Sequence, residues 1–141
     1  MNKQTIRPLV LGMIQNRDRL FVAEGYDAVK QMTFYRALGG GIEFGETSLD
    51  ALKREFQEEI QAALTNIIYL GCLENVFTYN GKPGHEIIQL YRCDFVDPAF
   101  YDKETVVVSE GNSQAIATWI PIAHFQSGQC RLVPESCLSL L

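Results

Sequence analysis

Three glutamates at helical spacing are the residues of this sequence best suited to carry chemistry. They are Glu55, Glu58 and Glu59, and in a helix the spacing i, i+3 and i+4 places them on one flank. Like charges at this spacing repel by roughly a few tenths of a kcal/mol per pair. A hard divalent cation relieves this repulsion, and oxygen ligands favour Mg²⁺ or Mn²⁺ over zinc. The alternative, which spacing alone does not exclude, is an acidic helix face that contacts only solvent.

A helical period in the apolar residues predicts that these glutamates lie on a helix over residues 47–63. At 100° per residue, the apolar positions fall within an arc of about 80°. These positions are Leu49, Leu52, Phe56, Ile60 and Ala63. Thr47 or Ser48 can cap the N-terminus of the helix. The apolar stripe faces the core, and we expect the two bases of the segment, Lys53 and Arg54, to point away from the acidic flank.

A glycine-rich segment precedes the predicted helix. Gly39–Gly41 and Gly45 allow positive φ values and a close approach of the backbone. Backbone carbonyls of such a turn can lie beside a cation that the helix binds. Glu46 precedes the helix and Arg54 lies about two turns into it. We therefore expect Arg54 to hold Glu46 and to clamp the loop to the helix; the alternative is that Arg54 faces solvent.

The order and spacing of these residues resemble the signature of the Nudix hydrolases. The matching pattern, a box over residues 40–62, is Gly40–x5–Glu46–x7–Arg54-Glu55-Phe56-x-Glu58-Glu59. The resemblance implies a single Nudix domain over residues 1–141, with an α/β/α sandwich, a mixed sheet and a loop–helix–loop box. It also implies an enzyme that uses Mg²⁺ or Mn²⁺ and a water nucleophile to cleave a nucleoside diphosphate linked to another group.

The resemblance further implies a role for each residue of the box. The implied metal ligands are Glu55, Glu58, Glu59 and the backbone carbonyl of Gly40. The implied structural residues are Gly40, Gly45, Glu46 and Arg54. One carboxylate must also accept the proton of the attacking water, and Glu55 is the first choice. Glu110 resembles a carboxylate that the family places on a later loop as ligand or base, although an exposed loop acid is an equal alternative.

The sequence departs from the family pattern at the end of the box. Gln61 stands where the family usually has glycine, and Ala62 stands where it has a larger aliphatic residue. Because glycine at that point normally ends the helix in a left-handed conformation, we expect the helix here to continue for about one more turn.

Outside the box, four residues are candidates for substrate binding. Arg36 could contact a phosphate, or it could be a surface residue of a strand. Glu86 could point into the cleft beside the metal, although an ordinary strand glutamate or a pair with His85 is the alternative. Phe77 and Tyr79 could stack on a base, but aromatic residues on strands more often belong to the core.

The remaining segments predict strands around one central helix, and therefore a mixed α and β class. We expect a hairpin between the segments Ile6–Ile14 and Leu20–Ala23, across the turn residues 16–19. A strand from Met32 to Leu38 should stop at the glycines. Further strands are expected at Ile67–Tyr79, Glu86–Phe95, Thr105–Val108 and Ala115–Ile122. Short helices are expected at Ala123–Gln126 and Pro134–Leu140.

Composition limits the class of protein. The 141 residues suit one domain, and a net charge of −5 argues against a protein that coats nucleic acid or a membrane surface. Four separated cysteines and two histidines make a zinc site improbable and predict reduced thiols in a cytoplasmic protein. No signal peptide or membrane span is evident, and the apolar tail 132–141 should pack on the domain or on a second copy in a homodimer.

The expected substrate is a small nucleotide: a nucleotide sugar, ADP-ribose, a dinucleoside polyphosphate or an oxidised NTP. A second class of function is a Nudix-like module that binds and senses a nucleotide without cleaving it. Such modules often lose carboxylates of the box, whereas this chain retains Glu55, Glu58 and Glu59. A third reading is removal of pyrophosphate from RNA 5′ ends, which the acidic composition disfavours. DNA is not expected as a partner.

Overall fold

The computed structural model describes residues 4–141, which form two β-sheets with α-helices and 3₁₀ helices around them. The strands are β1 (Arg7–Met13), β2 (Gln15–Asn16), β3 (Arg19–Asp27), β4 (Met32–Arg36), β5 (Leu38–Gly41), β6 (Leu64–Tyr79), β7 (Lys82–Phe95), β8 (Thr105–Glu110) and β9 (Ser113–Pro121). The α-helices are α1 (Ser48–Ile60) and α2 (Ile122–Gln126), and 3₁₀ helices span Pro98–Asp102 and Glu135–Leu140. No helix in this part of the chain is long and apolar enough to cross a membrane.

The first sheet is mixed and has the strand order β5-β1-β7-β6, in which β1 and β7 are parallel and the other pairs antiparallel. The second sheet is antiparallel, with the order β2-β3-β9-β8 and with β4 also paired to β3. These sheets and the few helices confirm the predicted mixed α and β class with a mixed sheet.

The core consists of two clusters on opposite faces of β1. Val10 belongs to the cluster that also contains Leu52 and Phe56 of α1, whereas Leu9 and Leu11 belong to the other. This alternation follows from the two-residue period of a strand. The second cluster includes Phe125 of α2, so α1 and α2 cover different faces of the sheets.

The predicted hairpin between the first two apolar segments is wrong. β1 lies between β5 and β7, and the turn at a left-handed Arg17 (φ 58°) joins the short β2, not β1, to β3. The physical reason is burial: β1 is buried on both faces from Leu9 to Met13, which is typical of a central strand flanked on both sides.

Helix α1 has the predicted N-cap but ends earlier than expected. Thr47 accepts a hydrogen bond from the N–H of Asp50 at 3.1 Å. The prediction that the helix continues past residue 61 is wrong. Gln61 itself adopts the left-handed conformation (φ 55°, ψ 42°) and donates its N–H to the carbonyl of Gln57. Ala62 is then buried in the core and the chain turns into β6. Tertiary packing thus overrides the cost of a left-handed non-glycine residue, which is about 1 kcal/mol.

The buried face of α1 differs from the predicted apolar stripe. Leu52, Phe56 and Ile60 are buried, as expected, but Leu49 is 38% exposed and Ala63 is exposed beyond the end of the helix. Ala51 and Glu59 are buried instead, so the buried face is rotated toward the acidic flank. This rotation brings Glu59 inside the protein.

The glycines at 39–41 continue as strand β5, so the expectation that the strand ends there is wrong. β4 ends at Arg36, and β5 pairs antiparallel with β1. A Cβ on Gly39 (φ 155°) would collide with the carbonyl oxygen of Val10. Glycine is therefore required because β5 approaches β1 too closely for a side chain.

Several other elements match their predictions with shifted ends. The long hairpin of β6 and β7 turns at Asn80 and Gly81, both with positive φ, as two-residue hairpin turns require. α2 appears at the predicted place, and the segment predicted as a second short helix is a 3₁₀ helix at Glu135–Leu140. The tail packs on the body of the protein, because Leu132 and Cys137 are buried in the second core cluster.

Candidate functional site

The three box glutamates and Glu110 line one pocket, which we call the carboxylate pocket. Its volume is about 620 Å³, and its acidic wall consists of Glu55, Glu58, Glu59 and Glu110. Gly39–Gly41 form the adjacent wall. The three box glutamates come from α1, and Glu110 comes from the end of β8, which packs on α1. The acid expected on a later loop therefore lies with the box glutamates.

Glu59 is the buried member of this group, with 7% of its surface exposed. The N–H of Gly39 donates to its carboxylate, but its Oε1 has no hydrogen-bond partner among the described residues. Burial, followed by the charges of Glu55 and Glu110, raises the pKa of Glu59 to about 8. A partnerless buried oxygen among carboxylates is an arrangement that a cation would stabilise.

Arg54 connects the glycine loop to the helix. Its Nε donates to Oε2 of Glu46 at 2.7 Å, and its Nη2 donates to Oε1 of Glu46 and to the carbonyl of Gly41, both at 2.9 Å. This is the contact that the sequence analysis expects. The hydrogen bond from Arg54 is the largest cause of a lowered pKa at Glu46. The fork geometry of the guanidinium allows both bonds to one carboxylate.

Arg54 also turns toward the acidic flank, so the expectation that it points away is wrong. Its Nη1 lies 2.9 Å from Oε1 of Glu55 and 3.3 Å from Oε2 of Glu58. The long side chain folds back over its own helix, where four carboxylates lie within 3.9 Å of its guanidinium nitrogens. Arg54 therefore partly neutralises the acidic flank of the helix, for which the sequence predicted repulsion with no base nearby.

The donor set of the carboxylate pocket fits a hard cation, although the carboxylates are not converged on one point. Within residues 4–141, no group of three or more His, Cys, Asp or Glu side chains is arranged to hold a metal ion. Glu55 and Glu58 share Arg54 instead. A Cβ on Gly40 would lie 2.5 Å from Cδ of Glu55, so only glycine leaves this carboxylate its place. Carboxylate and carbonyl oxygens are the ligands that Mg²⁺ and Mn²⁺ prefer.

A second cavity of about 620 Å³, which we call the aromatic pocket, lies beside the first and is lined by Phe34, Phe77 and Tyr79 among others. Phe77 and Tyr79 are not core residues, so the alternative reading of them is wrong. The rings of Phe34 and Phe77 lie against Gly25 and Gly84, where a Cβ would collide with them. The rings of Phe34 and Tyr79 pack edge to face, with their centroids 5.7 Å apart.

An ion pair between Arg36 and the buried Glu86 lines both pockets. Nη2 of Arg36 donates to Oε1 of Glu86 at 2.6 Å, and Asn75 donates to the same oxygen at 3.1 Å. Glu86 is 4% exposed, and its partner is Arg36, not His85. Arg36 and Glu86 thus lie where substrate contacts were predicted, but their side chains form an ion pair with each other.

The structure adds pocket residues that sequence reasoning missed. Arg7 lines both pockets, and its position could have been found because it shares one face of β1 with Leu9 and Leu11. Asp27, 3% exposed, accepts hydrogen bonds from the N–H groups of Lys30 and Asn80 and so ties the tips of two hairpins beside the aromatic pocket. Residues 131 and 133–136 form another wall of this pocket. The contact between Asp27 and Asn80 joins distant segments and leaves no local sequence signal.

A family model, the NUDIX domain, matches residues 5–132 of the chain. Among solved structures, the chain is similar to a MutT NUDIX hydrolase from Burkholderia pseudomallei, with 18% identity, 84% of each chain covered and a TM-score of 0.62. A NUDIX hydrolase from Nitrosomonas europaea has 17% identity and a TM-score of 0.61, with 96% of this chain and 86% of that chain covered.

An ADP compounds hydrolase is 16% identical, with 90% of this chain and 63% of that chain covered and a TM-score of 0.55. Identities this low show the shared fold alone. No curated protein matches the chain.

Proposed function

Because the chain belongs to the NUDIX family of hydrolases, we propose that it hydrolyses the diphosphate linkage of a small nucleoside diphosphate derivative. The observation that carries the proposal is the gathering of Glu55, Glu58, Glu59 and Glu110 in one pocket beside an aromatic pocket. The substrate candidates are a nucleotide sugar, ADP-ribose, a dinucleoside polyphosphate or an oxidised NTP. One of the structural relatives is an ADP compounds hydrolase, which favours testing ADP-linked substrates first.

In this proposal, Glu55, Glu58, Glu59 and the carbonyl of Gly40 hold Mg²⁺ or Mn²⁺. A cation held by these residues would neutralise phosphate oxygens and so would lower the repulsion between the phosphate and an attacking water. The contacts of Arg54 with Glu46 and with the carbonyl of Gly41 keep the end of β5 against the helix, so that Gly40 stays beside Glu55. Binding requires Glu59 to lose its proton, since only an ionised carboxylate is a good ligand.

A carboxylate of the pocket must also accept the proton from the attacking water. We assign this role first to Glu55, which lies against the glycine loop, and second to Glu110, which reaches the pocket from β8. Glu110 is the alternative because it lies on β8, a different element from the three box glutamates, and it could act as base while they hold the cation. Replacing each residue separately and following the pH profile of kcat distinguishes them.

The aromatic pocket is the proposed site for the base, with Phe77 and Tyr79 as stacking partners. Arg36 and Glu86 lie between the base and the reacting phosphates, where their pairing fixes the shape of the passage. The single domain over residues 1–141, a homodimer and a cytoplasmic location stay predictions.

The test is turnover by the purified chain with Mg²⁺ or Mn²⁺ and a panel of the four candidate substrate classes, followed by chromatography of the products. We expect a mononucleotide as one product. Glu58→Gln should lower kcat/KM by more than about 100-fold, because losing a metal ligand should cost more activity than losing a residue that only orients such a ligand. Asp50→Asn, on the same helix but outside the pocket, is the matched control and should keep full activity.

Failure of a folded protein to cleave any member of the panel would contradict the proposal. If calorimetry then showed tight nucleotide binding without product, the chain would be a module that binds and senses a nucleotide without cleaving it.

A further inference from the structure

Arg7 occupies the junction between the two pockets. It begins strand β1, where it pairs in register with Glu86 of β7. Its side chain shares one face of the strand with Leu9 and Leu11, and all three line the carboxylate pocket. Arg7 also lines the aromatic pocket, as do Arg36 and Glu86. Any substrate that extends from one pocket to the other must therefore pass these residues.

The guanidinium of Arg7 lies beside Gly41, at the end of strand β5. A Cβ built on Gly41 would be 3.8 Å from Nη2 of Arg7. Gly40, the preceding residue of β5, is in turn the neighbour of the Glu55 carboxylate. Arg7 is thus close to the place where the reacting phosphates would lie, without belonging to the box.

The two arginines of the junction differ in their partners. Arg36 is engaged by Glu86, whose carboxylate also accepts a hydrogen bond from Asn75. Arg7 makes no ion pair and no side-chain hydrogen bond within residues 4–141. Arg54 is similarly engaged, by Glu46 and its neighbours. Of the three, Arg7 is the arginine that has no carboxylate partner among the described residues, so its whole guanidinium can face an anion.

We propose that Arg7 binds a phosphate group of the substrate, the one nearer the base, at the junction of the two pockets. This inference rests on the proposed function, because it assumes a nucleoside diphosphate derivative that spans both pockets. A guanidinium presents two parallel N–H donors that match two oxygens of one phosphate. Glu86 is already neutralised by Arg36, so it does not compete for Arg7 or repel the phosphate as a bare carboxylate would.

The experiment measures binding without turnover. Methylene-bridged analogues of ADP, GDP, CDP and UDP resist hydrolysis because carbon replaces the bridging oxygen, and they are titrated calorimetrically into the protein with Mg²⁺. Wild type should bind at least one analogue, and Arg7→Gln should bind it about tenfold or more weakly, since charge-assisted hydrogen bonds to phosphate are lost. Arg7→Lys should fall between them, because it keeps the charge but not the fork.

Arg92→Gln is the matched control. Arg92 lies near the other end of the same strand pair, opposite Met13, is exposed and lines neither pocket. Its replacement removes the same charge and should leave affinity unchanged. Arg7→Gln should also keep the wild-type melting temperature, and its affinity should fall less steeply with added salt than that of wild type.

The outcomes separate the two proposals. Equal affinity of wild type and Arg7→Gln for the bound analogue would overturn the role of Arg7 and leave the proposed function standing. Equal weakening by Arg7→Gln and Arg92→Gln would also overturn it, since net charge alone would then explain the loss. If wild type bound none of the four analogues, the nucleoside diphosphate class would fail, and the role of Arg7 with it.

Discussion

Replacing Glu59 with glutamine should change how the stability of the metal-free protein depends on pH. The pKa of Glu59 is raised from an ordinary 4.5 to about 8 by burial and by Glu55 and Glu110. Between these two pH values the folded protein keeps a proton that the unfolded chain releases. Wild type therefore has its full stability below the lower pKa and loses stability as the pH rises through the window up to about 8.

The expected magnitude follows from 1.36 kcal/mol per pKa unit. Between pH 5 and pH 8, ionisation of Glu59 should cost wild type roughly 3 to 4 kcal/mol of unfolding free energy that Glu59→Gln does not lose. For a chain of this length, that difference corresponds to roughly 10 °C in melting temperature. Glutamine can still accept the N–H of Gly39, so the remaining contacts of the site are preserved.

Urea denaturation in EDTA at pH 5, 6.5 and 8 measures the effect, with wild type and variant compared at each pH. Glu104→Gln, an exposed glutamate outside both pockets, is the control and should follow wild type at every pH. Parallel curves for wild type and Glu59→Gln would refute the reasoning. A variant that is much less stable than wild type at pH 8 would show that Glu59 acts as an ionised structural carboxylate.

Three further substitutions test other parts of the site. Arg54→Ala should lower the unfolding free energy by about 2 kcal/mol in urea denaturation, because Glu46 loses its charged partner. Gly40→Ala should lower turnover more than about tenfold while changing stability by less than about 1 kcal/mol, since its Cβ displaces only the mobile end of Glu55. Phe77→Ala should raise KM about tenfold with little change in kcat, as steady-state kinetics would show.

The box and its helix could be predicted from sequence because their signals are local. Thr47 caps the helix that the apolar period predicts, and Leu52 and Phe56 are buried as that period requires. The clamp between Arg54 and Glu46 could also be expected, since the two residues lie within a short stretch of chain. Periodicity alone, however, does not show that a helix stops, and Gln61 takes a conformation usually left to glycine.

What the sequence did not reveal depends on contacts between distant segments. The parallel pairing of β1 with β7 replaces the local hairpin that turn residues suggested. The partner of Glu86 is Arg36, which lies 50 residues away in the chain, and not the adjacent His85. The backfolding of Arg54 onto Glu55 and Glu58 is a choice of side-chain conformation, which sequence spacing does not determine.

The register of the strands sets the order in which the charged and aromatic side chains line the two pockets. In the first sheet, β1 lies between β5 and β7, with Leu9 opposite Gly41 and Arg7 opposite Glu86. The carboxylates of α1 face the glycines of β5, Arg7 comes next, and the aromatic residues follow beyond the ion pair of Glu86. A nucleoside diphosphate derivative has the matching order of a cation-bound phosphate, a second phosphate and a base. This correspondence favours a nucleoside diphosphate derivative over inorganic pyrophosphate, which would leave the aromatic pocket empty.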